Sequence, residues 1–171
     1  LPSDDARTYS PIASPDGMVL LGWKHAGGPG ARWISEVTTG DEVQFLGPQR
    51  SLELPPGPVV LVGDETSVAV AAALEAERPG LVHAVIEADD EVGVRAAAAS
   101  VGLHELVVLP RGDRNVTAAM VIAKRLEHPS AAVALTGGSQ SVIHIRDALR
   151  VAKVPDVKTK PYWIPGRTGL D

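Results

Sequence analysis

The chain has 171 residues, 44% of them hydrophobic and 22% charged, and a formal net charge of −5. These proportions suit a soluble globular protein of one domain, or one domain plus part of a second, and the negative charge argues against a general nucleic-acid surface. With no cysteine in the sequence, disulfides, thiolate nucleophiles and cysteine-held zinc or iron–sulfur clusters are excluded, so any redox chemistry must ride on a bound cofactor.

The opening "LPSDDART" shows neither a basic n-region nor an apolar h-region. No apolar run approaches the roughly 20 residues that span a bilayer. A cytoplasmic protein without membrane insertion is therefore expected. Residues 1–54 are rich in Gly, Pro, Thr and Trp and carry short β-like runs. "GMVLLGWKH" (17–25) and "DEVQFLGP" (41–48) read as strands. Between them "GGPGARWISEV" (27–37) predicts a short helix entered through glycines, with Pro29 early in it. "LPPGP" (54–58) reads as a linker.

From residue 59 the texture changes. Five runs read as strands, the first four largely apolar: "VVLVG" (59–63), "LVHAVIE" (81–87), "ELVVLP" (105–110), "AAVALTG" (131–137) and "VKTKPYW" (157–163). Helical segments separate them: an Ala-rich stretch to Glu77, residues 91–100, "VTAAMVIAKRLEH" (116–128) and "SQSVIHIRDALRVAK" (139–153). Alternating strands and helices mean right-handed crossovers and a parallel sheet covered on both faces. The predicted fold class is α/β. Residues 55–171 would be a parallel five-stranded nucleotide-binding α/β domain.

Chemistry-bearing residues gather at the strand ends. In "VGDETS" (62–67) a strand stops at Gly63 and a helix starts near Thr66, which is where α/β sheets bind nucleotides. The G-x-G-x-x-G fingerprint is absent, and Asp64 and Glu65 would repel a pyrophosphate lying over them. Simple helix capping by Asp64 to Thr66 explains these residues equally well. "HAGGPGARW" (25–33) offers free backbone N–H groups to an anion, or is an ordinary Gly-Pro turn. Tyr162 and Trp163 end the fifth strand, where aromatics can stack on a planar ligand. The five histidines lack metal-site spacing, so no metal site is expected. Glu87 lies near the usual distance after Gly63, about 20 residues, for a ribose-binding acid, whereas Arg111 and Arg114 suit a 2′-phosphate.

Taken in order, these pieces resemble the siderophore-interacting proteins, a branch of the ferredoxin-reductase-like flavoenzymes. The matching motifs are Arg7-Thr8-Tyr9-Ser10, His25 through Trp33, Gly63 through Thr66, and Tyr162-Trp163 with Gly166 and Arg167. The resemblance implies an FAD-dependent, NAD(P)H-driven ferric-siderophore reductase that releases iron as Fe(II), with residues 1–54 as the C-terminal part of an antiparallel FAD-binding β-barrel. It implies Arg7, Thr8, Tyr9 and Ser10 at the flavin, with Tyr9 against the ring and Ser10 at its reactive edge as catalytic candidates. His25, Gly28, Gly30, Ala31 and Arg32 would hold the flavin phosphates. Gly63, Asp64, Glu65, Thr66, Thr136 and Gly137 would receive NAD(P)H, and Tyr162 or Trp163 would flank one of the rings.

The sequence departs from the family pattern in three places. Ala69 stands where many members have Pro, and Ile164 and Pro165 where many have a basic residue. Lys158, Lys160 and Arg167 are then the candidates for drawing in an anionic ferric siderophore. The Arg-x-Tyr-Thr/Ser motif normally follows several barrel strands, so an open barrel edge available for pairing is expected. A general NAD(P)H:flavin oxidoreductase and a non-catalytic nucleotide-binding module stand as alternatives.

Overall fold

The computed structural model describes residues 8–24, 29–44, 47 and 52–166. Two short strands, β1 (Pro11–Ser14) and β2 (Gly17–Leu20), pair as an antiparallel hairpin, with Ser14 opposite Gly17. Helix α1 (Pro29–Glu36) follows. Then come β3 (Val59–Asp64), a single 3₁₀ turn at Glu65–Ser67, α2 (Val68–Glu77), β4 (Val82–Ala88), α3 (Glu91–Ser100), β5 (Leu106–Pro110), α4 (Arg114–Glu127), β6 (Ala132–Gly138), α5 (Ser139–Val151) and β7 (Val157–Trp163).

The five later strands form one parallel sheet in the order β5-β4-β3-β6-β7. All six residues of β3 and all seven of β6 are buried, because helices cover both faces. On one face Val59, Leu61, Ala84 and Ile86 meet Val68, Ala71 and Ala72 of α2 and Val94 and Ala98 of α3. On the other, Val60, Val62, Val85, Val133 and Leu135 meet Ala118 and Val121 of α4 and Val142, Ile145 and Leu149 of α5. The period-2 alternation of a strand splits each apolar run between the two cores. The small side chains of α2 let that helix lie close to the sheet.

The hairpin is tied to the first of these cores. Ile12 is buried within it, and Leu21, Trp23, Leu52 and Leu54 pack against its edge. Arg78 fastens the linker before β3, donating to the carbonyls of Pro55 (2.7 Å) and Gly57 (3.2 Å). The expected strand over 41–48 is corrected in part. Residues 41–44 have no regular structure and are exposed, and the rest of that segment is largely outside the described residues. The strand expected over 17–25 stops at Leu20. The final helix ends at Val151 rather than 153, where Lys153 takes a positive φ of 55° that breaks the helical run.

Candidate functional site

The chain reverses direction across the sheet at β3. It runs outward through β4 and β5, then crosses back to place β6 on the other side of β3. The crevice of such a sheet lies beyond the carboxyl ends of the two strands that flank the reversal. Here those ends carry Gly63-Asp64 on β3 and Thr136-Gly137-Gly138 on β6; all of these except Gly138 were expected from sequence at one nucleotide site.

Asp64 organises this crevice. Its side chain is 3% exposed and accepts four hydrogen bonds. One oxygen takes the Thr66 N–H (3.0 Å) and the Thr66 hydroxyl; the other takes the Gly138 N–H (2.9 Å) and the Trp163 indole N–H (2.7 Å). All four donors are neutral, and together they satisfy both oxygens within the protein. Its oxygens are thus turned to donors inside the protein rather than out over the crevice. Glu65 is also turned away. It accepts from the Asp89 N–H (3.3 Å) and pairs with the Arg111 guanidinium, which also reaches Asp89 at 3.1 Å. Burial works against the Arg111 charge, but the hydrogen bond to Glu65 and the charges of Glu65, Asp64 and Asp89 outweigh it and raise its pKa.

Three glycines are set by close packing. A Cβ on Gly63 would sit 2.5 Å from Cβ of Ser67 and 2.7 Å from the Thr136 hydroxyl oxygen. Gly63 therefore admits the 3₁₀ turn, correcting the expectation that it admits a ligand. The Thr136 hydroxyl bonds the Val62 carbonyl (2.9 Å) and the Ser67 hydroxyl (2.8 Å). Gly137 has φ +85°, and a Cβ there would lie 2.7 Å from the Asp64 carboxylate. A Cβ on Gly138 would lie 2.6 Å from the Trp163 ring, so the indole covers the start of α5.

Helices α3 and α4 open on side-chain caps, Asp90 to the Gly93 N–H and Asp113 to the Asn115 and Val116 N–H groups. Helix α5 has no side-chain cap. Beside its first turn, Arg114 donates from Nε to the Ser141 hydroxyl (3.1 Å) and from Nη2 to Gln140 (3.4 Å). Arg114, Gln140 and His144 help line a groove of about 620 Å³ between α4 and α5. Glu87 is 2% exposed and accepts from the Thr117 (2.6 Å) and Ser141 (3.0 Å) hydroxyls. That burial corrects its reading as a ribose ligand: both oxygens face inward, joining α4 and α5 to the sheet.

The last strand brings the two halves of the chain together. Gly137 is opposite Pro161 and Gly138 opposite Trp163, so Tyr162 is the extra residue of a β-bulge. Tyr162 is partly buried and hydrogen-bonded to Ser10; burial chiefly, with the Asp64 charge, pushes its phenol up to about 12 against the opposing effect of Ser10. Tyr9 packs on Trp33 of α1, ring centroids 5.6 Å apart and tilted by 50°, near Gly22 and Ile34. Ser10 thus meets β7, and Tyr9 meets the helix that carries Gly30, Ala31 and Arg32. Ala31 is buried, while Arg32 and Thr8 are exposed. Lys158 is exposed and Lys160 partly buried on β7. Arg7, His25, Gly28 and Arg167 lie outside the described residues. Sequence reasoning missed Ser67, Ser141 and the Ser10–Tyr162 contact, none of which has a local signature.

No protein-family model matches the chain, and no curated protein matches it in sequence. Its shape matches solved structures closely. The siderophore-interacting protein of Acinetobacter baumannii superposes with a TM-score of 0.68 at 17% identity, over 95% of this chain and 71% of that one. The siderophore-interacting protein of Aeromonas hydrophila gives 0.60 at 21%, over 81% and 63%. A ferredoxin-NADP+ reductase of Plasmodium falciparum, in complex with 2′P-AMP, gives 0.59 at 9%, over 90% and 75%. The fold is that of the ferredoxin reductases. The ferredoxin-reductase-like architecture accounts for both the small antiparallel sheet and the five-stranded parallel one, and the neighbours include the family that the sequence motifs resemble. The chain spans less than two thirds of the length of the Aeromonas protein. No helix among the described residues is long and apolar enough to cross a membrane, and no cluster of three metal-ligating side chains occurs among them.

Proposed function

We propose that this chain belongs to an FAD-dependent NAD(P)H oxidoreductase of the ferric-siderophore reductase type. The observation that carries the reading is the end of β7. There Tyr162 touches Ser10 of the flavin motif while Trp163 bonds Asp64 of the nucleotide crevice. Residues assigned to two different cofactors from distant parts of the sequence are held by adjacent side chains.

The residues fit both groups. For a pyridine nucleotide, α5 starts without a side-chain cap, although its Gly138 N–H is taken by Asp64, and Arg114 lies beside its first turn. For FAD, Tyr9 and Trp33 supply an aromatic surface, Ser10 a hydroxyl, and Arg32 an exposed cation on α1. Bound FAD would supply the means of taking a hydride from NAD(P)H and passing single electrons to ferric iron. The protein's own part is to orient. Asp64 holds the carboxyl edge of β3 against the start of α5, and Tyr162 fixes the position of Ser10. The ion pairs of Arg111 close the β4 side of that edge, leaving the β6 side for a ligand.

Arg114 also bears on the choice of nucleotide. Glu87 is buried and Arg111 already serves two carboxylates, whereas Arg114 bonds only neutral side chains. A ribose 2′-phosphate suits it, so NADPH is the proposed donor. Lys158 and Lys160 are the proposed contacts of the anionic siderophore, and a cytoplasmic setting follows from the supply of NADPH.

The test is an absorption spectrum of the purified protein, reconstituted with FAD, followed by calorimetric titration with 2′-phospho-AMP and AMP. Flavin bands that stay with the protein through gel filtration, together with at least about tenfold tighter binding of 2′-phospho-AMP that Arg114→Ala abolishes, are expected. A colourless protein that oxidises NADPH only when free flavin is added would show that flavin is a substrate instead.

A further inference from the structure

We infer that Ser141, backed by the buried Glu87 carboxylate, is a positioning residue for Arg114. The inference rests on the reading of Arg114 as the contact of a ribose 2′-phosphate. The three side chains come from β4, α5 and α4, and two hydrogen bonds join them in series. Arg114 donates from Nε to the Ser141 hydroxyl at 3.1 Å, and that hydroxyl donates to Glu87 at 3.0 Å. The series has one possible direction. An arginine N–H can only donate and a carboxylate can only accept. The single hydroxyl proton of Ser141 therefore turns to Glu87, and the oxygen is left to accept from Arg114. Glu87 is 2% exposed, and its other oxygen takes the Thr117 hydroxyl at 2.6 Å, so the carboxylate is fixed between the sheet and α4. One hydroxyl thus links two opposite charges, and each of its bonds strengthens the other.

That hold decides which part of Arg114 meets a ligand. Nε and Nη2 lie along one edge of the planar guanidinium. The first turn of α5 takes this edge, Nε at Ser141 and Nη2 at Gln140, 3.4 Å away. Gln140 is exposed and its contact is long, so Ser141 is the firmer of the two. Both protons of Nη1 and the second proton of Nη2 have no partner among the described residues. Together they form the flat fork that suits a phosphate, on a side chain that borders the groove between α4 and α5. A long side chain that a ligand must first order binds more weakly than one already ordered. Ser141 supplies that order before the ligand arrives.

Calorimetric titration with 2′-phospho-AMP and AMP tests this on a matched pair of variants. Ser141→Ala and Thr117→Val each remove one hydroxyl from Glu87, but only the first also removes the acceptor of Arg114. Ser141→Ala is expected to bind 2′-phospho-AMP about fivefold more weakly than the wild type, and AMP equally well. Thr117→Val is expected to match the wild type with both. Ser141→Thr, which restores a hydroxyl, is expected to recover most of the loss. Unchanged affinity for 2′-phospho-AMP in Ser141→Ala overturns the inference. An equal loss in Thr117→Val also overturns it, since the effect would then be one of packing around Glu87.

A measurement without ligand separates this inference from the nucleotide reading. In ¹⁵N-edited spectra the Arg114 Nε–H signal is identified by its absence from Arg114→Lys. It is expected to exchange with water at least about tenfold more slowly in the wild type and Thr117→Val than in Ser141→Ala. Equal exchange in the wild type and Ser141→Ala overturns the inference. Should Ser141→Ala fail to fold, exchange in the wild type as fast as that of free arginine overturns it. If Arg114→Ala binds 2′-phospho-AMP as the wild type does, the 2′-phosphate reading alone is defeated, and the Nε–H exchange still judges the hold of Ser141 on Arg114.

Discussion

Gly137→Ala is a demanding test of how the crevice is built. The residue has φ +85°, which costs a residue with a side chain about 1–2 kcal/mol. Its new methyl would also lie 2.7 Å from the Asp64 carboxylate oxygen, 2.8 Å from Cγ and 3.0 Å from the Asp64 backbone nitrogen. These atoms have little room to retreat, because the carboxylate is held by Thr66, Gly138 and Trp163. Overpacking of this kind costs about 1–3 kcal/mol, giving about 2–5 kcal/mol in all. Gly102 provides the matched control: its φ is +77° but nothing lies within 4 Å of a built Cβ, so Gly102→Ala should cost only the backbone share, about 1–2 kcal/mol. Urea denaturation of the two variants, with equal m-values, measures the difference directly. If Gly137→Ala is no less stable than Gly102→Ala, the carboxylate is not fixed where the four hydrogen bonds place it, and the account of the crevice fails.

The His83 and His128 rings are stacked, 3.5 Å apart at 11°. Burial chiefly, then the charge on His128, lowers the His83 pKa below 6.5; Lys124 acts the same way and Glu105 and Glu127 oppose it. Because the folded value lies below the unfolded one, this stability is present above about pH 6.5 and is lost as pH falls through the folded pKa. Melting temperature should therefore drop between pH 7.5 and 5.5, and His128→Gln should flatten that drop; parallel curves would refute the assignment. Thr117→Val removes one of the two hydroxyls on the buried Glu87 carboxylate and should cost about 1.5–3 kcal/mol in urea denaturation. A neutral result would mean that Glu87 finds another donor.

Much of the fold was legible because β3, β4 and β6 are apolar without interruption, which two-sided burial demands, and because Ala-rich or amphipathic stretches lie between them. The candidate crevice was legible only by place: Asp64, Thr136 and Gly137 stand at the strand ends where the sequence put them, and parallel sheets in general bind ligands at such ends. What the residues do there was not. Gly63 looks like a gap for a ligand until Ser67 and Thr136 fill it. Asp64 looks like exposed negative charge until Trp163, 99 residues away, donates to it. Glu87 looks like a ribose acid until Ser141 and Thr117 close over it. Each role depends on a partner far along the chain, and no local pattern encodes such a partner. The strand expected at 41–48 is absent over residues 41–44, where the Asp41 N–H turns back to the Thr38 carbonyl (3.2 Å) and no described strand pairs alongside.

The placement of β3 at the centre of the sheet has a consequence for how the protein is made. As the chain emerges during synthesis, β3, β4 and β5 can associate in turn, each with its predecessor. The other edge of β3 must wait until residues 132–138 arrive to cover it. A nascent chain halted before that point shows an open apolar strand to its surroundings, the form most prone to clump with its own kind. The seam that closes last is also the one that holds Asp64 and Gly138 together, so a polypeptide can be largely folded and still lack the crevice between β3 and β6.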